Sequence, residues 1–335
     1  MGRLAIVIPS VGSVAALEST LLSVLENRPS RTEILVVYAH PYDDQYQLQG
    51  EVRLIQAPEK SSLVACANLG IQETSADIVH LLSTGCYVRE GWTDSALKHF
   101  ADPRVAVVAP LLMDAADSLR AIAAHVGYGV GGVRCEFPRA TADVQTAGVA
   151  PILAASLAAV FYNRVTLSTA GYLSEEVGAE LAGLDLGMLL DHAGFKTLID
   201  PKSTVRVPRQ QLEPASDFRN ALCAERMFWR NAPLVGWFKS LAAHPLSVAV
   251  DALRLFPRPG MFAALAGRLA GAATFPSARQ HHRRLDDLCS SAPLPANPTA
   301  GRQMRIDRPH ESQTQRAASD TLARPNRATP SAKSG

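Results

Sequence analysis

Short apolar runs alternate with amphipathic stretches along the first two hundred residues. The apolar runs, typical of strands buried on both faces, lie at 4–9, 34–37, 52–55, 78–82 and 105–108. Helical spacing of apolar positions occurs between them, over 14–26, 61–73 and 92–100. This alternation predicts an α/β domain whose mostly parallel sheet is covered by helices on both faces. Ligands of such sheets bind beyond the carboxyl ends of the strands.

The later part of the chain is less regular. Strands are predicted over 154–162 and 196–199, with a helix over 184–192 between them. The glycine-rich segment 111–150 has no strand–turn–helix pattern and predicts a flexible loop. Further helices are predicted over 216–229, 246–256 and 261–272. The expected organisation is a domain over 1–208, C-terminal helices over 209–289 and a disordered basic tail over 290–335.

Composition narrows the class of protein. A hydrophobic fraction of 47% is typical of a globular chain, and a net charge of +2 gives no electrostatic case for nucleic acid. The five cysteines lack metal-ligand spacing and are interpreted as reduced thiols. Neither a signal peptide nor a membrane span is expected. A cytoplasmic location is therefore predicted, with the inner face of the cell membrane as an alternative.

Six short motifs follow one another in a fixed order. They are Pro9-Ser10 after the first apolar run, Leu21-Leu22-Ser23-Val24-Leu25, Glu33 to Val37, Cys66-Ala67-Asn68-Leu69-Gly70-Ile71, Gly91-Trp92 and Ala193-Gly194-Phe195. In this order, across about 200 residues, the chain resembles the family-2 glycosyltransferases of the GT-A fold.

The resemblance implies a function and a set of ligands. It implies nucleotide-sugar-dependent glycosyl transfer to a glycan or a lipid-linked acceptor, in cell-surface glycan or polysaccharide synthesis. The family usually employs Mg²⁺ or Mn²⁺. By position, the resemblance assigns contacts with the nucleotide sugar to Pro9, Ser10, Tyr38, Asp43, Asn68, Ser83 and Gly85.

Three acidic positions of the family are occupied by other residues. The Asp that follows the second strand is replaced by Tyr38, and the metal-binding Asp-x-Asp by Ser83-Thr84-Gly85. The Glu-Asp pair that supplies the base aligns with Ala182-Gly183, so Asp185 is the remaining candidate base. A hydroxyl and a glycine are poor ligands for a hard divalent cation, and no metal ligand is assigned.

Other side chains could replace the missing acids. Guanidinium groups can neutralise a diphosphate by bidentate contacts, and the candidates near loops are Arg89, Arg134 and Arg164. Asp43 and Asp44 could reach a ribose or a base, or could simply stabilise a turn. For Asp185, structural pairing is the alternative to the role of base. His80 lies in an apolar run and is interpreted as a core histidine.

The C-terminal region mixes aromatic and cationic residues. Two interpretations stay open for the interleaved side chains of Phe228, Trp229, Arg230, Trp237, Phe238 and Lys239. One is a peripheral surface that contacts a membrane, and the other is a plain helical subdomain packed on the core.

Three hypotheses on function remain. The first is a divergent glycosyltransferase that works without metal or with relocated acids. The second is a catalytically inactive relative, a pseudoenzyme that keeps the fold to bind a sugar, a glycan or a partner. The third is an unrelated α/β binding domain.

Overall fold

A computed structural model describes residues 3–44, 47–116, 121–123, 125–128, 132, 134–137, 148–208, 216–255 and 260–274. One compact unit spans Met1–Asn297 and a second spans Pro298–Gly335, and the described residues all belong to the first. The predicted tail over 290–335 lies outside the described residues. The domain boundaries at 208 and 289 stay predictions, since the chain on the carboxyl side of each is outside the described residues too.

Nine strands form one sheet. The described strands are β1 (Leu4–Ser10), β2 (Thr32–Tyr38), β3 (Arg53–Gln56), β4 (Ile78–Leu82), β5 (Val105–Asp114), β6 (Ala121–Ala123), β7 (His125–Tyr128), β8 (Arg134–Phe137), β9 (Ala150–Ile152), β10 (Ala159–Asn163) and β11 (Lys196–Val207). The strand order is β3-β2-β1-β4-β10-β5-β11-β9, β6 pairs with β5, and β7 with β8 forms a separate hairpin. Pairing is parallel between β2 and β3, β1 and β2, β1 and β4, and β5 and β11.

The described helices are α1 (Val14–Glu26), α2 (Leu63–Glu73), α3 (Asp94–Lys98), α4 (Arg164–Thr169), α5 (Ala179–His192), α6 (Asp217–Val235), α7 (Trp237–Leu255) and α8 (Gly260–Ala273). Serine residues begin the first two, because Ser13 and Ser62 each accept a hydrogen bond from a backbone N–H of the first turn. In the part of the chain that the structure describes, no helix is both long enough and apolar enough to cross a bilayer.

Each face of the sheet packs against its own helices. In β1 the side chains of Ala5 and Val7 join a buried cluster with α2 and α5, whereas those of Ile6 and Ile8 join a cluster with α1 and α3. This alternation explains the continuous apolar run, since both faces of the strand are buried. The predicted α/β architecture with helices on both faces is confirmed.

The fifth strand, predicted over 105–108, is longer than expected. The strand continues to Asp114, and Pro110 pairs with Asp200 of β11 at a shift of register between Asp200 and Thr204. A proline has no N–H to donate to a ladder, and the irregularity in β11 falls where that bond would be missing.

Two further predictions need correction. Within 111–150, the described residues form the end of β5, strands β6 and β9, and the pair of β7 and β8, so the predicted loop is wrong for these residues. The helix predicted to begin at Leu246 begins at Trp237 and continues through Pro245. Pro245 lies on the exposed side of α7. A proline usually disfavours helix in the residue before it, and α7 is an exception.

Candidate functional site

The carboxyl ends of three neighbouring strands meet at one edge of the sheet. Ser10, the last residue of β1, pairs with Tyr38, the last residue of β2, and the backbone N–H of Ala39 donates to the carbonyl of Ser10 at 3.0 Å. Ser83 directly follows β4, the other neighbour of β1. The predicted residues Pro9, Ser10, Tyr38 and Ser83 therefore lie along the edge where ligands of such sheets bind.

An aromatic cluster occupies this edge at the end of β2. The ring centroid of Tyr38 lies 5.7 Å from that of Tyr42 and 6.3 Å from that of His40, and all three side chains are half-buried. His40 Nε2 lies 2.7 Å from the hydroxyl of Ser10, and His40 Nδ1 lies 3.0 Å from the carbonyl oxygen of Pro41. In a neutral imidazole Nδ1 then carries the hydrogen, and Nε2 accepts from Ser10.

His40 lies at this edge and was not among the residues predicted from the sequence. The available signal was its position two residues after a strand that ends at the ligand edge. In the same loop, Asp44 accepts a hydrogen bond from the backbone N–H of Leu48 at 2.8 Å and stabilises the turn, as expected for one of the two alternatives. Asp43 is exposed, and its contact with a nucleotide stays a prediction.

The turn after β4 is held by backbone contacts. Ser83 donates its hydroxyl to the carbonyl of Leu157 at 2.9 Å, and its N–H to the carbonyl of Ala158 at 2.9 Å. The N–H of Gly85 is directed to α1, where Thr20 Oγ1 accepts at 2.7 Å. Gly85 has a φ of +82°, a conformation that favours glycine. Ser83 and Gly85 thus fix the shape of the edge.

The residues of this turn do not fit the metal that the fold family usually holds. A divalent cation on a diphosphate needs hard oxygen ligands, and the turn offers no carboxylate while the hydroxyl of Ser83 already donates to Leu157. Among the described residues, no group of three His, Cys, Asp or Glu side chains is placed to hold a metal ion.

The aligned base position lies in a closed environment. Ala182 and Gly183 of α5 are both buried. A Cβ added at Gly183 would collide with the carbonyl oxygen of Ala155. The backbone of residues 153–158 therefore lies between the turn after β4 and the first half of α5, and it occupies the space of a side chain at position 183.

Asp185, the predicted base, is 3% exposed and is paired with a cation. Arg230 of α6 donates from Nε to Asp185 Oδ1 at 3.1 Å and from Nη2 to Asp185 Oδ2 at 2.8 Å. Asn231 adds a bond from Nδ2 to Asp185 Oδ1 at 2.9 Å, and Nη1 of Arg230 also reaches Glu176 at 3.0 Å. The bidentate pair fixes α6 on α5. The role of Asp185 as a base stays a prediction.

Asn68 and the candidate arginines differ from one another in where they lie. Asn68 Nδ2 donates to the carbonyl of Leu173 at 2.9 Å and Asn68 Oδ1 accepts from its N–H at 3.1 Å, so this side chain ties α2 to the loop after α4. Arg164 donates to the carbonyl of Ala76, which precedes β4, so it lies at the opposite edge of the sheet. Arg89 is exposed after β4, and the side chain of Arg134 is outside the described residues.

The fold is shared with solved glycosyltransferases. The chain superposes on GalNAc-T7 with UDP, GalNAc and Mn²⁺ (TM-score 0.57, 13% identity, 88% of this chain and 58% of that one). It also superposes on the mannosyltransferase PcManGT of Pyrobaculum calidifontis with GDP-Man and Mn²⁺ (0.50, 16%, 87% and 86%) and on residues 1–349 of TarS of S. aureus (0.51, 10%, 86% and 89%). The chain has the GT-A glycosyltransferase fold.

Sequence comparison gives shorter matches. A pre-mycofactocin glycosyltransferase of Mycobacterium tuberculosis is 29% identical over 83 residues, which are 25% of this chain and 18% of that protein. A probable N-acetylgalactosaminyltransferase 9 of Caenorhabditis elegans is 28% identical over 83 residues, 25% of this chain and 14% of that protein. The matched stretch thus spans less than a fifth of these relatives. No family model matches the chain.

Proposed function

We propose that this protein binds a nucleotide sugar at the carboxyl edge of β1, β2 and β4 without a metal ion held by carboxylates. One observation carries the proposal. An aromatic and imidazole cluster lies at the end of β2 beside Ser10, next to a turn of Ser83, Thr84 and Gly85 that has no acid.

Each group at the edge has a role in this proposal. The half-buried ring of Tyr38 stacks on the nucleotide base, a contact that contributes about 1–3 kcal/mol where bases stack on aromatic side chains. His40 supplies a hydrogen bond to the ribose or the diphosphate by exchanging its bond with the buried Ser10, and Asp43 bonds the ribose from the exposed side of the loop. The guanidinium of Arg89 after β4 neutralises the diphosphate by bidentate contacts.

The ligand class is supported by what the similar structures hold. GalNAc-T7 was solved with UDP and PcManGT with GDP-Man, and both were solved with Mn²⁺. This chain shares their fold but has no carboxylate in the turn after β4. We therefore propose a nucleotide sugar as the ligand of this chain, and we do not propose the metal ion.

Glycosyl transfer at the same edge is the second candidate, and the match to two named glycosyltransferases favours it. The acceptor would be a glycan or a lipid-linked sugar of cell-surface polysaccharide synthesis. The acceptor hydroxyl would lose a proton while its oxygen forms a bond to the donor sugar. The bond between that sugar and the nucleoside diphosphate would break at the same time. Asp185 could take that proton only after Arg230 released it, whereas His40 Nε2 needs only to exchange Ser10 for the acceptor.

The test is a calorimetric titration of UDP-, GDP- and dTDP-sugars into the purified protein. One nucleotide class should bind, and a ligand at 100 times its dissociation constant should raise the free energy of unfolding by about 2.7 kcal/mol. Tyr38→Ala should weaken binding about 5- to 150-fold, as loss of one stacking contact predicts. Phe218→Ala, which removes an exposed ring on α6, is the matched control and should bind normally. Failure of all three donors to bind would refute the proposal.

A product assay on the same samples separates the two candidates. Release of nucleoside diphosphate in the presence of glycan acceptors, lost in His40→Gln with binding retained, would support transfer. Binding with no release on any acceptor would leave a donor-binding protein.

A further inference from the structure

Helices α7 and α8 direct several of their polar side chains inward. In α7, Ser240 and His244 are both buried. In α8, the only charged side chain is that of Arg268, which is 12% exposed and faces α6 and α7. Amphipathic helices of globular proteins usually have the opposite polarity, with the apolar stripe toward the core.

The inward side is a network of charged groups around Glu225 of α6. His244 Nε2 lies 3.0 Å from Glu225 Oε1, Arg268 Nη1 lies 3.2 Å from Glu225 Oε2, and the indole of Trp229 donates to Glu225 at 2.8 Å. Burial raises the pKa of Glu225, but the hydrogen bonds from His244 and Arg268 outweigh it and hold the pKa below its ordinary value. A second bond from Arg268 reaches Asp251 at 2.7 Å. The network therefore fixes which sides of α7 and α8 face inward.

Close backbone packing fixes α8 further. A Cβ at Gly267 would collide with the carbonyl oxygen of Phe218, and one at Gly271 would meet Glu225 and the carbonyl of Leu222. Both glycines are buried against α6. Rotation of α8 about its axis would separate these surfaces, so the outward side of α8 is as well defined as its inward side.

The outward sides of the two helices are apolar. We name the apolar face by its large exposed side chains, which are Phe238, Leu241, Leu246, Val250 and Leu253 of α7 and Phe262, Leu265 and Leu269 of α8. Phe238 is 87% exposed and Leu269 is 75% exposed. Among the side chains described in both helices, the charged residue at an exposed position is Lys239, and the half-exposed Asp251 is paired with Arg268.

We propose that the apolar face lies on an anionic lipid surface. Phenylalanine and leucine side chains enter the boundary between headgroups and acyl chains, while cations next to them contact anionic headgroups. Lys239 is the cation described on the apolar face, and the sequence after α8 adds positive charge to the chain. Residues 275–335 contain ten Lys and Arg against five Asp and Glu, a net charge of +5 by this count.

The charge also argues against a second copy of the chain as the occupant. A second copy of the chain would carry the same positive charge, and like charges repel. A surface of anionic lipid is complementary to both the apolar side chains and the positive charge. The inference does not depend on the donor site, because the face is formed by α7 and α8 alone.

The test is sedimentation of the full chain with vesicles, without nucleotide. The vesicles are phosphatidylcholine alone or phosphatidylcholine with about one third phosphatidylglycerol, which supplies the anionic surface. The wild type should bind the anionic vesicles, bind the neutral ones at least about tenfold more weakly, and lose binding as salt is raised. The fluorescence of Trp237, at the start of α7, should shift to shorter wavelength on binding.

Substitutions separate the apolar face from the basic segment. The fourfold variant Leu246→Gln, Leu253→Gln, Phe262→Gln and Leu269→Gln should reduce binding to anionic vesicles at least about tenfold, since it removes most of the inserted apolar area. Leu22→Gln with Val165→Gln, two positions that are each 60% exposed elsewhere on the protein, is the matched control and should bind like the wild type.

Three results would overturn the proposal. The first is no binding to anionic vesicles. The second is equal binding by the fourfold variant and the wild type, which would assign binding to charge alone. The third is a dimer in sedimentation velocity that the fourfold variant dissociates, which would make a second copy the occupant. Melting temperatures of both variants close to that of the wild type would show that the fold is intact.

Discussion

Two histidines stack on phenylalanine rings in nearly the same way but in opposite surroundings. His80 of β4 lies 3.8 Å from Phe161 with an angle of 9° between the rings, and His244 of α7 lies 3.6 Å from Phe228 with the same angle. His80 bonds only a backbone carbonyl, that of Val160, and burial lowers its pKa to about 3. His244 instead bonds the carboxylate of Glu225.

The comparison extends to the two regions around these residues. The sheet buries apolar side chains on both faces, and Ser10 with His40 of the following loop lies at its carboxyl edge. The C-terminal helices bury charged groups and expose apolar ones. A charged side chain can be buried where a counter-charge is buried beside it. In these helices the charged groups therefore occupy the inner positions, and leucine side chains occupy exposed ones.

The largest expected effect is on the buried charge between the two regions. Arg230→Ala should lower the free energy of unfolding by about 3–5 kcal/mol, because it leaves the 3% exposed Asp185 without its counter-charge. Arg53→Ala, at an ion pair whose arginine is 48% exposed, should cost at most about 1 kcal/mol. Urea unfolding measures both, and equal losses would contradict a distinct role for the buried pair.

A methyl group added where two backbones pack closely should lower the stability of either region by a similar amount. Gly183→Ala in α5 and Gly267→Ala in α8 should each lower the free energy of unfolding by about 1–3 kcal/mol, because the new Cβ meets a carbonyl oxygen in each place. Gly50→Ala, with nothing within 4 Å of the Cβ, should change it by less than about 0.5 kcal/mol. A tolerated Gly267→Ala in chemical denaturation would show that α8 packs less tightly than the sheet region.

The smallest effect concerns the neutral histidine of the sheet. The folded protein keeps His80 neutral down to about pH 3, while the unfolded chain binds a proton near pH 6.5. His80 therefore contributes a loss of stability of about 1.4 kcal/mol per pH unit as the pH falls below 6.5. Unfolding free energies at pH 7, 6 and 5 should show a shallower slope in His80→Phe. Leu22→Gln, at a position that is 60% exposed and does not titrate, is the control, and it should keep the slope of the wild type.

Much of the sheet could be predicted from the sequence. The runs that form β1, β2 and β4 are apolar at consecutive positions, and this pattern has one common cause, burial on both faces. The position of Ser10, Tyr38 and Ser83 at one edge followed from the same pattern. Strand direction could not be predicted in this way. Nothing in the residues of β10 distinguishes the antiparallel pairing that it makes with β4 from a parallel one.

The C-terminal helices show where sequence reasoning fails. Apolar periodicity identifies a stripe on a helix but does not say whether the stripe faces in, and the inward side of α7 is set by Glu225, nineteen positions before His244. The predicted helix over 246–256 begins just after Pro245, whereas α7 begins nine residues earlier, at Trp237, and continues through this proline. The pairing of Asp185 with Arg230 joins residues 45 positions apart, and no local pattern encodes it.

The most direct test of the account is the affinity for a nucleotide sugar in EDTA and in Mn²⁺. The donor that binds best in calorimetry is titrated under both conditions at equal ionic strength. The account predicts the same dissociation constant within about twofold, because the turn of Ser83, Thr84 and Gly85 has no carboxylate to hold a metal. Binding that appears only with Mn²⁺ would contradict it and would show that other residues complete a metal site.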